Sequence, residues 1–168
     1  MFNDKHVHLI AVPEDERGLA RAIGEAHKRY SRMRNFAEGV RGYLFQGRFG
    51  SCVLDEKHLA AAVRYVENNP VRAGMVKRAW EYPWSSAKFH VGEREIDVLL
   101  KDRNLWELVA NWKEFLQGED SRTERDLRRA TKTGRPWVDH EHLAGIEKKT
   151  GRNLQKAKPG RKPHHSMK

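Results

Sequence analysis

Residues 55–76 read DEKHLAAAVRYVENNPVRAGMV, and the organisation of the chain turns on them. Asp55 is a natural N-cap, Glu56 sits in the first turn where the helix dipole favours an acid, and Asn69-Pro70 ends the run. Leu59, Ala62, Val63 and Val66 recur at helical spacing, so that face is expected to be buried. Tyr65 lies at the edge of this stripe with Asn69 four residues on. At about 100° per residue the two side chains point nearly the same way. A phenol and an amide projecting together from an anchored helix are either packing or a site.

Composition narrows the choice. The 168 residues fit one domain with an appendage, or two small domains. Lys and Arg outnumber Asp and Glu by 33 to 23, for a net charge of +10, and a basic surface of this kind most often meets nucleic acid. No apolar run approaches the roughly 18 residues of a membrane span, and no signal peptide is evident. The lone Cys52 suits a reducing cytosol, so a cytoplasmic location is expected.

The opening segment contains His6-Val7-His8-Leu9-Ile10 before Pro13, which reads as a short strand. In a strand His6 and His8 share one face, about 6.5–7 Å apart along the chain, and two such imidazoles can share a divalent ion. Taken alone, an His-x-His pair is as readily two surface histidines. Residues 18–34 read as an amphipathic helix with the stripe Leu19, Ile23, Ala26, Tyr30 and Met33. Its outer face carries Arg21, Lys28, Arg29, Arg32 and Arg34, either solvated or touching phosphates.

In residues 35–50, Gly39, Gly42, Gly47 and Gly50 mark turns. Tyr43, Phe45 and Phe49 alternate there with Arg41, Gln46 and Arg48. Aromatic faces beside guanidinium groups suit single-stranded or hairpin nucleic acid; equally, aromatics in a hairpin cap a core. Arg72 stands close to the end of the central helix, and the aromatics of Tyr82-Pro83-Trp84-Ser85-Ser86 are expected to pack. Residues 104–117 form a further helix burying Leu105, Leu108, Val109, Trp112, Phe115 and Leu116, and Gly118 is a boundary. Ser121-Arg122-Thr123-Glu124 is a capping box that opens a basic helix to about Lys132. Asp139 caps another, ending near Gly151, so the pair has the outline of a helix-turn-helix. From Lys148 to Lys168 there are eight Lys or Arg and no acid, the composition of a disordered arm that lies along phosphates.

In this order the pieces resemble the REP-associated tyrosine transposases of the single-tyrosine HUH transposase superfamily. The resemblance is carried by His6-Val7-His8-Leu9-Ile10, Leu44-Phe45-Gln46-Gly47-Arg48-Phe49, the run Tyr65 to Gly74, Tyr82-Pro83-Trp84-Ser85-Ser86, and Arg128 to Pro136. Phe45 stands where the family usually has Trp. The resemblance implies that His6, His8 and Asn69 hold Mg²⁺ or Mn²⁺ and that Tyr65 is a nucleophile. The product would be a 5′-phosphotyrosine linkage and a free 3′-OH on single-stranded, hairpin-bearing DNA. Arg41, Gln46, Arg48, Phe49, Arg72, Lys158, Arg161 and Lys162 would contact that DNA.

The resemblance further implies an α+β fold, with a catalytic domain over residues 1–100 built on a ferredoxin-like antiparallel sheet. A helical, DNA-binding extension would follow over 101–151, and a basic disordered tail over 152–168. Family members carry a strand, a helix and another strand before the histidine strand. Here the histidines begin at position 6, so a partial sheet is expected, exposed at one edge or completed by a second copy in a homodimer. Two other functions compete: a DNA-binding remnant without catalysis, and an RNA-binding protein, which ranks last because nothing in the sequence reads a 2′-OH.

Overall fold

The computed structural model describes residues 6–45, 47–100, 105, 109–118 and 121–156. Seven α-helices follow in chain order: α1 (Gly18–Glu38), α2 (Glu56–Glu67), α3 (Asn69–Arg72), α4 (Ala87–His90), α5 (Trp112–Gln117), α6 (Ser121–Thr133) and α7 (His140–Thr150). A 3-10 turn, Ala79–Glu81, lies between α3 and α4.

Local chemistry sets the ends of α2. The Asp55 carboxylate accepts the His58 N–H at 3.0 Å, satisfying one of the orphan donors of the first turn. The helix stops at Glu67, Asn68 takes a right-handed helical conformation as its cap, and the chain turns directly into α3 with Pro70 in its first turn. Asn69 therefore belongs to α3, one bend beyond the helix that carries Tyr65. The expected caps at the other end of the chain also form: Asp139 accepts the His142 N–H at 2.9 Å, and Gly151 closes α7 with φ 63°.

α2 is a wall shared by two apolar clusters. Val63 faces the first, with Ala79, Trp80, Ala87, Trp112 and Leu116. Ala62 and Tyr65 face the second, with Leu127 of α6 and the flanking Leu54, Val66 and Trp137. Consecutive residues Ala62 and Val63 point about 100° apart, which is how one helix serves both. Tyr65 is thus within an apolar stripe wider than the sequence marks out, and the extension that carries α6 shares its core with α2.

A fully buried carboxylate fastens the first cluster. Glu67, the last residue of α2, accepts from Ser86 Oγ (2.5 Å), His90 Nδ1 (2.6 Å) and Trp112 Nε1 (2.9 Å). These three donors meet the demand of a buried charge for partners and tie α2 to α4 and α5. The adjacent Asn68 donates to Leu116 O at 2.6 Å.

The expected ferredoxin-like antiparallel sheet is not found: among the described residues there is no β-strand, and the α+β assignment is corrected to a helical architecture. Extended pairing is limited to isolated bridges at Val7 and, in parallel, between Leu54 and Trp137. A strand persists only with a partner ladder. Residues 6–12, exposed except for the half-buried His8, form no strand, and the glycine-rich stretch that would supply a second strand is broken by positive φ at Gly39 (64°) and Gly42 (133°). The apolar stripe of α1 also stays uncovered: none of its residues is buried, and Tyr30 and Met33 are exposed. Phe45 stacks on His27 of this helix with ring centroids 3.8 Å apart and lies 6.2 Å from the Tyr30 ring. Of Tyr82 and Trp84, both expected to pack, only Tyr82 is buried; Trp84 is 65% exposed.

Among the described residues no helix is long and apolar enough to cross a membrane. Most of the tail, the side chain of Ser121 in the expected capping box, and Leu108 lie outside the described residues.

Candidate metal and phosphoryl-transfer site

The segment before α1 and the α2–α3 bend, some sixty residues apart in sequence, meet at His8. His8 Nε2 lies 3.0 Å from His6 Nε2 and 3.1 Å from Asn69 Nδ2. The His8 ring stands edge-on to that of Tyr65 with centroids 6.2 Å apart. His6 and His8 of the segment before α1 thus lie near Asn69 and Tyr65 of the helical bend.

His8 is suited to act as a neutral ligand. Burial, and after it the neighbouring His6 and the Arg72 charge, lower its pKa to about 4. At neutral pH its ring is uncharged with a nitrogen lone pair to offer.

Whether this group fits a divalent ion can be tested on distances. Two nitrogens bound at about 2.1 Å and at right angles to each other lie about 3 Å apart, which matches the separation of the two Nε2 atoms. The Asn69 amide lies 3.1 Å from the same His8 nitrogen, and exchanging its oxygen for its nitrogen turns a carbonyl ligand that way, since the two are assigned from surroundings. The donor set of two imidazoles and one amide oxygen leaves coordination positions for phosphate oxygens.

Tyr65 is 8% exposed, held between α2 and Leu127 of α6. The guanidinium of Arg72 lies over its ring, with Cζ 3.9 Å from the centroid. Arg72 Nη2 donates to Tyr65 O at 3.0 Å, and Nη1 lies 3.3 Å from Glu124 Oε1 of α6. That last pair is within ion-pair distance but not aligned as a hydrogen bond, so Nη1 is a buried donor with no hydrogen-bond acceptor. Arg72 thus faces the nucleophile candidate, a position that no periodicity in the sequence marks.

The other proposed DNA contacts lie elsewhere. Arg41, Arg48 and Phe49 are exposed on the irregular segment that follows α1. Gln46, Lys158, Arg161 and Lys162 lie outside the described residues. On α1 the basic face is partly neutralised by nearby acids: Arg21 pairs with Asp15 just before the helix, Lys28 and Arg29 with Glu25, and Arg34 with Glu38.

A second cluster, Asp55, Asp139 and His142, brings three potential ligand atoms within 4.8 Å of one another. Its oxygens are already committed. Asp55 Oδ1 accepts from the His58 backbone and lies 2.5 Å from the His58 ring, while Oδ2 accepts the Asp139 N–H at 2.7 Å. Asp139 receives the His142 backbone and ring and the Lys57 ammonium, which together hold its carboxyl far below the usual range. With Lys57 supplying the positive charge, this is a cross-link between the starts of α2 and α7. Its sequence signal is the repeated Asp-x-x-His at 55–58 and 139–142.

Comparison of the chain with family models, with curated proteins and with solved structures returns no match.

Proposed function

We propose that this protein cleaves and rejoins single-stranded DNA beside a hairpin through Tyr65, with Mg²⁺ or Mn²⁺ bound by His6, His8 and Asn69. The observation that carries the reading is the convergence of these four residues from two distant segments, at separations that suit a shared ion. The +10 net charge supports a polyanionic substrate.

In this reading the Tyr65 phenol oxygen attacks the scissile phosphorus, giving up its proton as the new O–P bond forms. The bond from phosphorus to the 3′-oxygen breaks, and that oxygen leaves as a free 3′-OH. Because the phosphodiester is exchanged for a phosphotyrosine ester, a 3′-OH of another strand reverses the step and joins DNA without ATP. A divalent ion bound at the site would supply Lewis-acid charge to the phosphoryl oxygens. His8, neutral at working pH, and His6 hold the ligand positions, Asn69 orients the third, and the packed α2–α6 contact fixes the Tyr65 ring.

The test is incubation of the protein with single-stranded hairpin DNA, with Mn²⁺ or with EDTA, resolved on a denaturing protein gel. A metal-dependent covalent band, absent in Tyr65→Phe and His6→Ala, supports the reading. Its absence in the native sequence overturns it. A second reading, a DNA-binding protein without cleavage, is favoured by one observation: Tyr65 is 8% exposed and packs as a core residue. Hairpin binding on a native gel without any covalent band would select it.

A further inference from the structure

We infer that Arg72 is a positioning residue for the Tyr65 nucleophile, and that Glu124 of α6 holds the Arg72 guanidinium in place. The inference rests on the cleavage reading above and adds a part to it.

Three contacts on one side chain carry the argument. The guanidinium plane covers the Tyr65 ring at 3.9 Å, Nη2 is bonded to the carbonyl of the same residue at 3.0 Å, and Nη1 stands 3.3 Å from Glu124 Oε1. Arg72 therefore grips both the ring and the backbone of Tyr65, which fixes the direction in which the phenol oxygen points. The arrangement needs a planar fork: one nitrogen meets a carbonyl and another an acid while the flat face rests on an aromatic ring. Lysine offers a point charge and no face.

The α2–α3 bend makes the contact possible. Asn68 interrupts the helix axis, and α3 brings Arg72 back against α2, seven residues from Tyr65. Glu124 approaches from the other side on α6, whose Leu127 also covers the ring.

The experiment compares Arg72→Gln, Arg72→Lys and Glu124→Gln with the native chain in two measurements. The first is the single-turnover rate of covalent adduct formation on hairpin DNA, at saturating DNA and beside the Kd from native gels. The expected result is that Arg72→Gln slows adduct formation by about tenfold or more while Kd stays within about threefold. Arg72→Lys recovers only part of the rate. The second measurement is the NMR signal of the ¹³C-labelled Tyr65 ring, assigned by its loss in Tyr65→Phe among the four tyrosines. It shifts in Arg72→Lys and in Glu124→Gln, both of which keep the fold if Arg72→Gln does not.

An Arg72→Gln or Arg72→Lys protein with a native adduct rate overturns the inference while leaving the cleavage reading intact. A rate loss matched by an equal loss of affinity overturns it too and makes Arg72 a DNA contact. An unshifted Tyr65 ring in Glu124→Gln removes the part given to Glu124. No adduct with the native chain overturns the cleavage reading, and this inference with it.

Discussion

The carboxylate of Glu67 accepts the indole N–H of Trp112 at 2.9 Å, joining the end of α2 to the start of α5 across a fully buried interface. With Ser86 and His90 on the same carboxylate, three donors from two further helical segments converge on Glu67. The bend that follows places Asn69 beside His8, so the site inherits its geometry from this joint.

Glu67→Ala should therefore be among the most damaging single changes. It leaves the buried donors of His90 and Trp112 and the part-buried Ser86 hydroxyl unmatched, and breaking a buried pair of this kind costs about 3–5 kcal/mol. Urea unfolding followed by tryptophan fluorescence measures it. A loss below about 1 kcal/mol would show that the joint is not holding the helices.

Truncating Leu127 should loosen the ring of Tyr65 from the α6 side. Leu127 is buried in the cluster with Ala62 and Tyr65, and Leu→Ala in such a place costs about 2–5 kcal/mol. Replacing the exposed Leu99 or Val98 should change stability by no more than about 0.5 kcal/mol. Thermal unfolding of the three variants separates a shared α2–α6 core from an extension that folds by itself.

The Asp55 cap predicts a pH dependence with a definite sign. Burial pushes its carboxyl up, but the hydrogen bonds from the Asp139 backbone and from the His58 ring and backbone outweigh it, and its pKa lies below the usual carboxylate value. A carboxyl depressed in the folded state contributes stability above its unfolded pKa, and that contribution is lost as pH falls through the folded value. Asp55→Asn keeps an N-cap but has no charge to titrate. The stability gap between the native chain and Asp55→Asn should thus be widest near neutral pH and close as pH drops below about 4. A gap that stays constant down to pH 3 would contradict the assignment.

What the sequence made legible was local. Asp55 and Asp139 are N-caps, Gly151 is a C-cap, and Trp112 and Leu116 are buried, because each of these follows from neighbours within one or two turns. The pairing of His6, His8, Tyr65 and Asn69 was proposed through resemblance, and the structure sets these residues side by side.

The sheet was misjudged because an alternating pattern such as His6 to Ile10 gives the period of a strand but not its partner. Glu67 was passed over since a glutamate near a helix end reads as solvated; its donors stand 19, 23 and 45 residues away. The place of Arg72 was hidden for the same reason, as its second partner, Glu124, lies on another helix. Non-local contacts of this kind leave no trace in periodicity.

The most direct test of the central claim is to map the attachment point. Hairpin DNA is incubated with the protein and Mn²⁺, the complex is digested with nuclease and protease, and the peptides are sequenced by mass spectrometry. A 5′-linked nucleotide is expected on the phenol of Tyr65 and on none of Tyr30, Tyr43 or Tyr82. A nucleotide on another tyrosine, or no linked peptide at all, would contradict it.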